Sequence, residues 1–370
     1  MIEQKRKSGM RVLLVAFFST EGGISKNFVD IGNALGKLCN VYTVTGKVDF
    51  PCIIDAEMKR LQLPINRQNP LQMISPINIA RVKKFAKENC IDCVLYLSNS
   101  ITNIFLLSAL KKYPQYTFLH NPCPHQGTKL IYSIAEIITN RVAFDISRKV
   151  IVASNAQRKD MTHHKPYSKN VNKICVIYLG IQEDMKYQLP ATNETIDVLF
   201  FGRIEYYKGI DILLQALQND CCKNVNCTLI GKGNIKNYIG NLDLKKLNVT
   251  VINEYMPDKQ IAEYINISKV FVLPYREATG TQIAQSAMYY GKPVVATDTG
   301  CLPEYVIDHE TGIIVPPSDP NSLAQAIAKL VSDNEERHRL GIKGKKRLES
   351  VFDNCNIANQ YLKLMENYNG

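Results

Sequence analysis

Residues 198–218 read VLFFGRIEYYKGIDILLQALQ. The opening run is apolar without polar alternation, the composition of a short strand buried on both faces. Gly202 ends that run, and from Ile210 the apolar residues recur at helical spacing. Between strand and helix stand two glycines, Gly202 and Gly209, and two cations, Arg203 and Lys208. A strand, a glycine-bounded turn and a helix form half of a βαβ unit.

Moving outward, the same unit recurs along the chain. Upstream, strand-like runs fall at Val12–Phe18, Asn40–Val44, Cys93–Leu97, Thr117–Leu119, Val150–Ala153 and Ile174–Tyr178. A second series falls at Asp197–Phe201, Cys227–Ile230, Val249–Ile252, Val270–Leu273, Pro293–Ala296 and Gly312–Val315. Amphipathic segments such as SLAQAIAKL at 322–330 lie between them, here with capping residues just upstream at 318–322. The alternation predicts an α/β fold of parallel sheets flanked by helices. Two series predict two Rossmann-like domains, in line with a length of 370 residues. The break is placed in the polar stretch QEDMKYQLPATNET, 182–195, which has a linker's composition.

Bulk properties exclude several classes. A chain with 45% hydrophobic and 21% charged residues is not disordered, collagen-like or coiled-coil. No run reaches the roughly 18 apolar residues of a membrane-spanning helix. The basic start MIEQKRKSG is followed only by the short run Val12–Phe18, so no secretion signal is read and a cytoplasmic protein is expected. The 11 cysteines are scattered through apolar segments, as buried thiols of a reducing compartment are. Cys90-Ile-Asp-Cys93 is a CxxC, but no second pair completes a metal site, and it leads directly into a strand, so it reads as structural.

Charge is uneven. The formal net charge is +11, and residues 1–185 carry 25 Lys+Arg against 13 Asp+Glu, while residues 186–370 carry 20 against 21. No helix-turn-helix, zinc-finger or RNP-type pattern accompanies the excess, so no nucleic-acid partner is expected. An anionic membrane surface is the expected partner, each basic residue near such lipid contributing about 1 kcal/mol. The alternative is a merely solvated basic surface.

Four stretches carry chemistry. RVLLVAF at 11–17 leads to Gly22-Gly23 and a helical segment, and a glycine pair there lets a ligand approach backbone N–H groups. It is not GxGxxG, so a dinucleotide site is not supported. LHNPCPHQG at 119–127 places His120 at a strand's C-terminal end, where open α/β sheets bind ligands, in a loop stiffened by prolines. His120 and His125 have no further metal ligands nearby in sequence. Arg203 and Lys208 flank a strand-to-helix turn, a clamp for a diphosphate. In LPYREATGTQIAQSAMYYGKPVVAT, 273–297, the free N–H groups at Thr279, Gly280, Thr281 and Gln282 are set to face a phosphate. Gly231-Lys-Gly233 reads as a tight turn and His163-His164 as surface residues.

Together these stretches resemble the family 4 retaining glycosyltransferases, over about residues 11–332. VIYLG (176–180), GRIEYYKG (202–209), MPDKQIAEYI (256–265), the block 275–304 and HETGIIVPPSDP (309–320) match in order and spacing. The resemblance implies the GT-B fold, two Rossmann-like domains with parallel sheets facing a central cleft. It implies an acceptor domain over 1–180, a nucleotide-sugar donor domain over 181–351, and a helix over 352–370 crossing back onto the first. It implies that Gly22 and Gly23 face the donor diphosphate and sugar, that His120 lies beside the transferred sugar, and that Arg203 and Lys208 neutralise the diphosphate. Gly202, Glu277 and the run Thr279–Gln282 then hold the sugar, phosphate and ribose. One block departs from the family. Many members carry two Glu separated by seven residues, where this chain has Ala278 and Ser286, with Glu277 one place early. In this it is similar to a subgroup common among bacterial envelope glycosyltransferases.

The implied function is transfer of a sugar from a nucleoside-diphosphate-sugar to a lipid-linked glycan of surface polysaccharide, at the inner face of the cytoplasmic membrane. No cofactor and no metal are implied, since cationic side chains and amides neutralise the phosphates and Asp298 and Asp308 show no Asp-x-Asp spacing. The alternatives are a soluble acceptor, a sugar-nucleotide epimerase of the same fold, and a non-catalytic partner subunit. The HNPCPHQG segment and the Glu304 block favour the transferase over the epimerase.

Overall fold

The computed structural model describes residues 8–18, 22–48, 54–55, 57–65, 75–122, 130–164, 167–240 and 242–367. Two compact units divide the chain. One runs up to Leu179 and resumes at Asn354, and the other is Gly180–Asp353.

The first unit grows from strand β1 (Arg11–Ala16). Val12, Leu14 and Ala16 point to one face, Leu13 and Val15 to the other, and all five are buried. That is the demand of a period-2 strand covered on both sides. The other strands are β2 (Asn40–Thr45), β3 (Lys59–Gln62), β4 (Cys93–Tyr96), β5 (Gln115–Phe118), β6 (Lys149–Val152) and β7 (Ile174–Val176). They form a parallel sheet of order β3-β2-β1-β4-β5-β6-β7. Its helices are α1 (Gly23–Gly36), α2 (Pro76–Glu88), α3 (Ile101–Ala109), α4 (Leu130–Ile146) and α5 (Asn155–His163). β3 was not among the apolar runs, because its sequence KRLQ is largely exposed. Charged residues of this kind suit a sheet edge.

The second unit repeats the plan. Its strands are β8 (Ile196–Phe201), β9 (Cys227–Ile230), β10 (Val249–Ile252), β11 (Ser268–Leu273), β12 (Val294–Thr297) and β13 (Gly312–Val315). Their order is β10-β9-β8-β11-β12-β13, again parallel. Its helices are α6 (Ile210–Ala216), α7 (Lys236–Ile239), α8 (Asp258–Asn266), α9 (Ile283–Tyr289), α10 (Leu302–Tyr305), α11 (Pro320–Ser332) and α12 (Asn334–Arg347).

The last helix, α13 (Asn354–Asn367), belongs to the first unit. Ile357, Ala358, Tyr361, Leu362 and Met365 line one stripe of it. That stripe joins Phe28, Ile31 and Leu35 of α1 over the Val12/Leu14/Ala16 face of the sheet. Cys93 ends up buried here, its Sγ 3.5 Å from Met365 Sδ, while Cys90 is exposed, so the CxxC is structural.

The polar stretch 182–195 is not a free connector. Tyr290 donates from its hydroxyl to Met185 O (2.8 Å) and accepts from Tyr187 N–H (3.1 Å). Asn266 holds Pro190 O at 2.9 Å, and Glu194 pairs with Lys292 and Arg337 at 2.8 and 3.4 Å. Its composition is polar because hydrogen bonds and ion pairs, more than apolar burial, dock it onto the second unit. Among the described residues, no helix is long and apolar enough to cross a membrane.

Phe28 is wholly buried between α1 and the sheet, its ring edge-on to Phe18 at 5.4 Å. Phe28→Ala is therefore expected to destabilise the protein by about 3–5 kcal/mol. The exposed Lys84→Ala, which removes a surface pair with Glu88, serves as control and changes stability by less than about 0.5 kcal/mol. Denaturant midpoints check both.

Candidate functional site

In an open parallel sheet, ligands bind beyond the carboxyl ends of the strands, where the strand order reverses. In the second unit that point lies between β8 and β11. β8 runs out at Phe201, Tyr206–Lys208 make one 3₁₀ turn, and Gly209 starts α6 with φ +64°. A Cβ on Gly209 would collide with the carbonyl oxygen of Pro274. Only glycine allows both the left-handed conformation and this approach of two backbones. A Cβ on Gly202 would sit 3.9 Å from Lys208 Cε and 3.7 Å from Ile283 Cδ1, which places Gly202, Lys208 and the start of α9 around one corner.

Arg276 closes that corner. Its guanidinium forks onto Asp211 at 2.8 and 2.7 Å, donates to Tyr206 O at 3.0 Å and lies 4.3 Å over the Tyr206 ring. Its backbone N–H donates to Tyr207 O at 2.8 Å. Burial pushes the Asp211 carboxyl up, but the Arg276 hydrogen bonds and charge outweigh it and hold the group below its usual range. The following loop is clamped from the other side. Tyr275 O accepts from Thr297 Oγ1 (2.6 Å), Arg276 O from Thr299 Oγ1 (2.9 Å), and Ala278 O from Cys301 N–H (3.0 Å).

The two cations of the turn have different environments. Arg203 is 71% exposed along its side chain, pairs with Glu205 at 2.9 Å and donates to the Tyr207 hydroxyl at 3.1 Å. Lys208 is buried, its Nζ 3.8 Å from the centre of the Tyr275 ring and 5.0 Å from that of Tyr207. Burial, and then the Arg203 charge, pull the Lys208 ammonium down to about 7, against the opposing pull of Glu205 and Cys301.

Glu277 and Thr279 are half-buried in the clamped loop, and Gly280 is exposed. Thr281 is buried, and its Oγ1 accepts from Ile283 N–H at 3.2 Å. The Gln282 side chain donates to Gly180 O (2.8 Å) and accepts from Gln182 (3.2 Å), so it fastens the first residues of the unit. Ser286 donates back to Gln282 O at 3.3 Å within the helix.

In the first unit, β1 and β4 flank the reversal. Gly22 precedes α1, donates its N–H to Ser25 Oγ (2.8 Å) and accepts from the same hydroxyl (2.9 Å). Its own N–H is thereby occupied. Among the described residues nothing lies within 4 Å of where its Cβ would be, and Gly23 beside it is exposed. His120 follows β5. Its Nε2 is 3.0 Å from Leu97 O and its ring is 4.7 Å from Phe118. A carbonyl only accepts, so Nε2 carries the hydrogen and Nδ1 is an acceptor. Burial pushes the imidazole down to about 4, against the Leu97 hydrogen bond, so it is neutral at pH 7. His120 O accepts from Gln157 (2.8 Å), and Asn140 donates to Asn121 O (2.8 Å) and accepts from Asn99 (2.8 Å). His125 and its neighbours 123–129 lie outside the described residues.

Sequence reasoning missed Tyr275, Tyr207 and Asp211 around the cations, and Ser25, Asn140 and Gln157 behind the glycine pair and His120. Tyr207 and Asp211 stand within a turn of Lys208 and were visible as neighbours. Nothing in the chain pairs Asp211 with Arg276, 65 residues away.

Two family models match consecutive parts of the chain. Residues 21–184 match Glycosyltransferase Family 4, and residues 181–347 match Glycosyl transferases group 1. An uncharacterized glycosyltransferase of Methanocaldococcus jannaschii is 31% identical over 47% of this chain and 48% of its own length. The capsular polysaccharide biosynthesis glycosyltransferase CapM of Staphylococcus aureus is 31% identical over 51% of this chain and 55% of its own. The chain thus aligns with about half the length of these relatives. Among solved structures, Anabaena HepE, determined in complex with UDP and glucose, superposes with TM-score 0.74 and 18% identity, covering 97% of this chain and 100% of its own. That likeness establishes the fold as GT-B.

Arg276 and Asp211 are mostly shielded, with side chains 19% and 25% exposed. A double-mutant cycle of Arg276→Ala and Asp211→Ala is expected to give a coupling of roughly 1–3 kcal/mol in unfolding experiments. Asp211 is held low in the folded state, so its contribution is complete above the unfolded carboxylate value of about 4 and disappears as pH falls through the lower native one. An acid titration of stability in which Asp211→Asn removes part of that loss checks the sign.

Proposed function

Since the chain belongs to the glycosyltransferases, with a family 4 first half and a group 1 second half, we propose that it moves a sugar from a nucleoside-diphosphate-sugar to a glycan acceptor with retention of anomeric configuration. The second unit takes the donor and the first takes the acceptor. The observation that carries this reading is the pair of cations at the strand reversal, Lys208 buried on aromatic rings and Arg203 beside it at the surface.

As the bond from sugar to phosphate breaks, negative charge grows on the leaving diphosphate. Lys208 and Arg203 meet that charge, in the manner of preorganised donors that act most strongly where charge develops. Neither needs a metal ion to do so. A bound diphosphate also favours the ammonium form of Lys208 and raises its depressed value again. His120, neutral with Nδ1 accepting, is suited to orient a sugar hydroxyl and not to protonate a leaving group. Glu277, Thr279, Gly280 and Thr281 contact the sugar and phosphates from the clamped loop, and Gly22 and Gly23 of the first unit let a ligand approach the start of α1.

The test is nucleoside diphosphate binding by the purified protein, with UDP, GDP, ADP and dTDP compared. One base class is expected to bind, and Lys208→Ala is expected to lower turnover by about 10²–10³. The free protein must take up a proton at Lys208, so affinity falls as pH rises from 7 to 9, by up to about tenfold per unit, and Lys208→Ala flattens that slope. No nucleotide binding at any pH would overturn the proposal.

For the acceptor, we propose a lipid-linked glycan of surface polysaccharide, with the protein peripheral on an anionic membrane. Support comes from the basic first half, from the relative named for capsular polysaccharide biosynthesis, and from α4. There Ile134, Ile137 and Ile138 lie on one face and are 48%, 50% and 53% exposed. The protein is expected to sediment with phosphatidylglycerol-containing vesicles and not with phosphatidylcholine alone, and to be released by salt. Replacing Ile137 and Ile138 by Ser should weaken binding several-fold. Equal binding to both vesicle types would overturn the part given to the basic half, and binding to neither would favour a soluble acceptor.

A further inference from the structure

We infer that Tyr275 is a positioning residue of the donor site: the face of its ring, and not a carboxylate, holds the Lys208 ammonium in place for a diphosphate. The inference rests on the donor-site reading and names the group that makes Lys208 fit for it.

A buried ammonium can be held by an anion or by the electron-rich face of an aromatic ring. An anion cancels the charge and repels an arriving diphosphate. A ring attracts the ammonium through its quadrupole and leaves the full positive charge for a ligand. Two carboxylates of this corner are held by arginines, Glu205 by Arg203 and Asp211 by Arg276, and Lys208 is in neither pair. Its close contacts are rings, Tyr275 at 3.8 Å and Tyr207 at 5.0 Å, the two rings lying edge to face with centres 6.5 Å apart.

The Tyr275 ring is also fixed. The residue is 1% exposed, its carbonyl accepts from Thr297 Oγ1, and the next residue is locked to Asp211 and to the Tyr207 carbonyl. Its hydroxyl is buried and makes no hydrogen bond among the described residues. The ring face is the part of Tyr275 that meets the Lys208 ammonium. The groups that act on Lys208 are Arg203, Glu205 and Tyr207 from its own turn, Tyr275 from the end of β11, and the Cys301 thiol from the turn after β12. Of these, only Glu205 is a carboxylate, and it is paired with Arg203.

The experiment is a fluorination series at one position. Tyr275→Phe is the reference, and 4-fluoro-, 3,5-difluoro- and 3,4,5-trifluorophenylalanine at the same position withdraw charge from the ring face with little change of shape. Affinity for UDP, GDP, ADP and dTDP is measured at pH 6, where Lys208 is an ammonium. In parallel, the Lys208 titration in the free protein is followed by NMR with ¹³C-labelled lysine. Affinity for the nucleotide that binds is expected to fall stepwise, by roughly three- to tenfold across the series, and the Lys208 midpoint to fall with it. In a Lys208→Ala background the affinity series should be flat. Nucleotide binding that is indifferent to fluorination, with an unmoved Lys208 midpoint, would overturn the role of Tyr275 and leave the donor site standing. Absence of nucleotide binding by the wild-type protein would overturn the donor site instead, and the lysine titration alone then decides whether the ring holds the ammonium.

Discussion

Gly209 touches the carbonyl of Pro274, and the corner around Lys208 depends on that approach. The segment after β8 and the segment after β11 leave the sheet side by side, and any side chain at 209 would force them apart. With the backbones this close, Arg276 reaches Asp211 and the Tyr206 and Tyr207 carbonyls, and Tyr275 slides beneath Lys208. A contact between two main chains thus sets the positions of the charged side chains, which are long and would otherwise sample many rotamers.

The charges at this corner are sorted by solvent. Arg203 keeps its head in water with Glu205, where an ion pair contributes little to stability. Lys208 is withdrawn onto rings, and the loss of hydration lowers its ammonium. The first unit shows the opposite solution at its own strand ends. There His120 is kept neutral, with one nitrogen tied to Leu97 O, and amide side chains replace charges in holding the loop. One unit places cations at its strand ends and the other neutral hydrogen-bonding groups.

The block at 275–304 departs from the common family pattern at Ala278 and Ser286, and its local structure shows what Ser286 and the neighbouring Gln282 do. Ser286 returns a hydrogen bond to the helix, and Gln282 is turned toward Gly180 and Gln182. These are internal ties. Glu277 remains in a loop whose carbonyls are bonded to the turn after β12, so its position is set by main-chain contacts on either side of it.

Sequence by itself determined every strand but β3, the parallel α/β plan and the family. Apolar runs such as VLLVA and VLFF can be buried only within a covered sheet, and the glycines after them mark where each strand must turn. Sequence also marked Lys208, Arg203 and His120, because cations and histidines at strand ends are chemically conspicuous. It did not reveal β3, whose exposed KRLQ lacks the apolar signal, or the docking of 182–195, whose contacts are polar. Only the tertiary structure decided that Lys208 is buried and Arg203 is not, that Tyr275 lies under one of them, and that α13 completes the core of the first unit. Periodicity and turn chemistry are local and are written along the chain. Burial, pairing and ring contacts join residues dozens to hundreds of positions apart, and they come into being only when the strands assemble side by side.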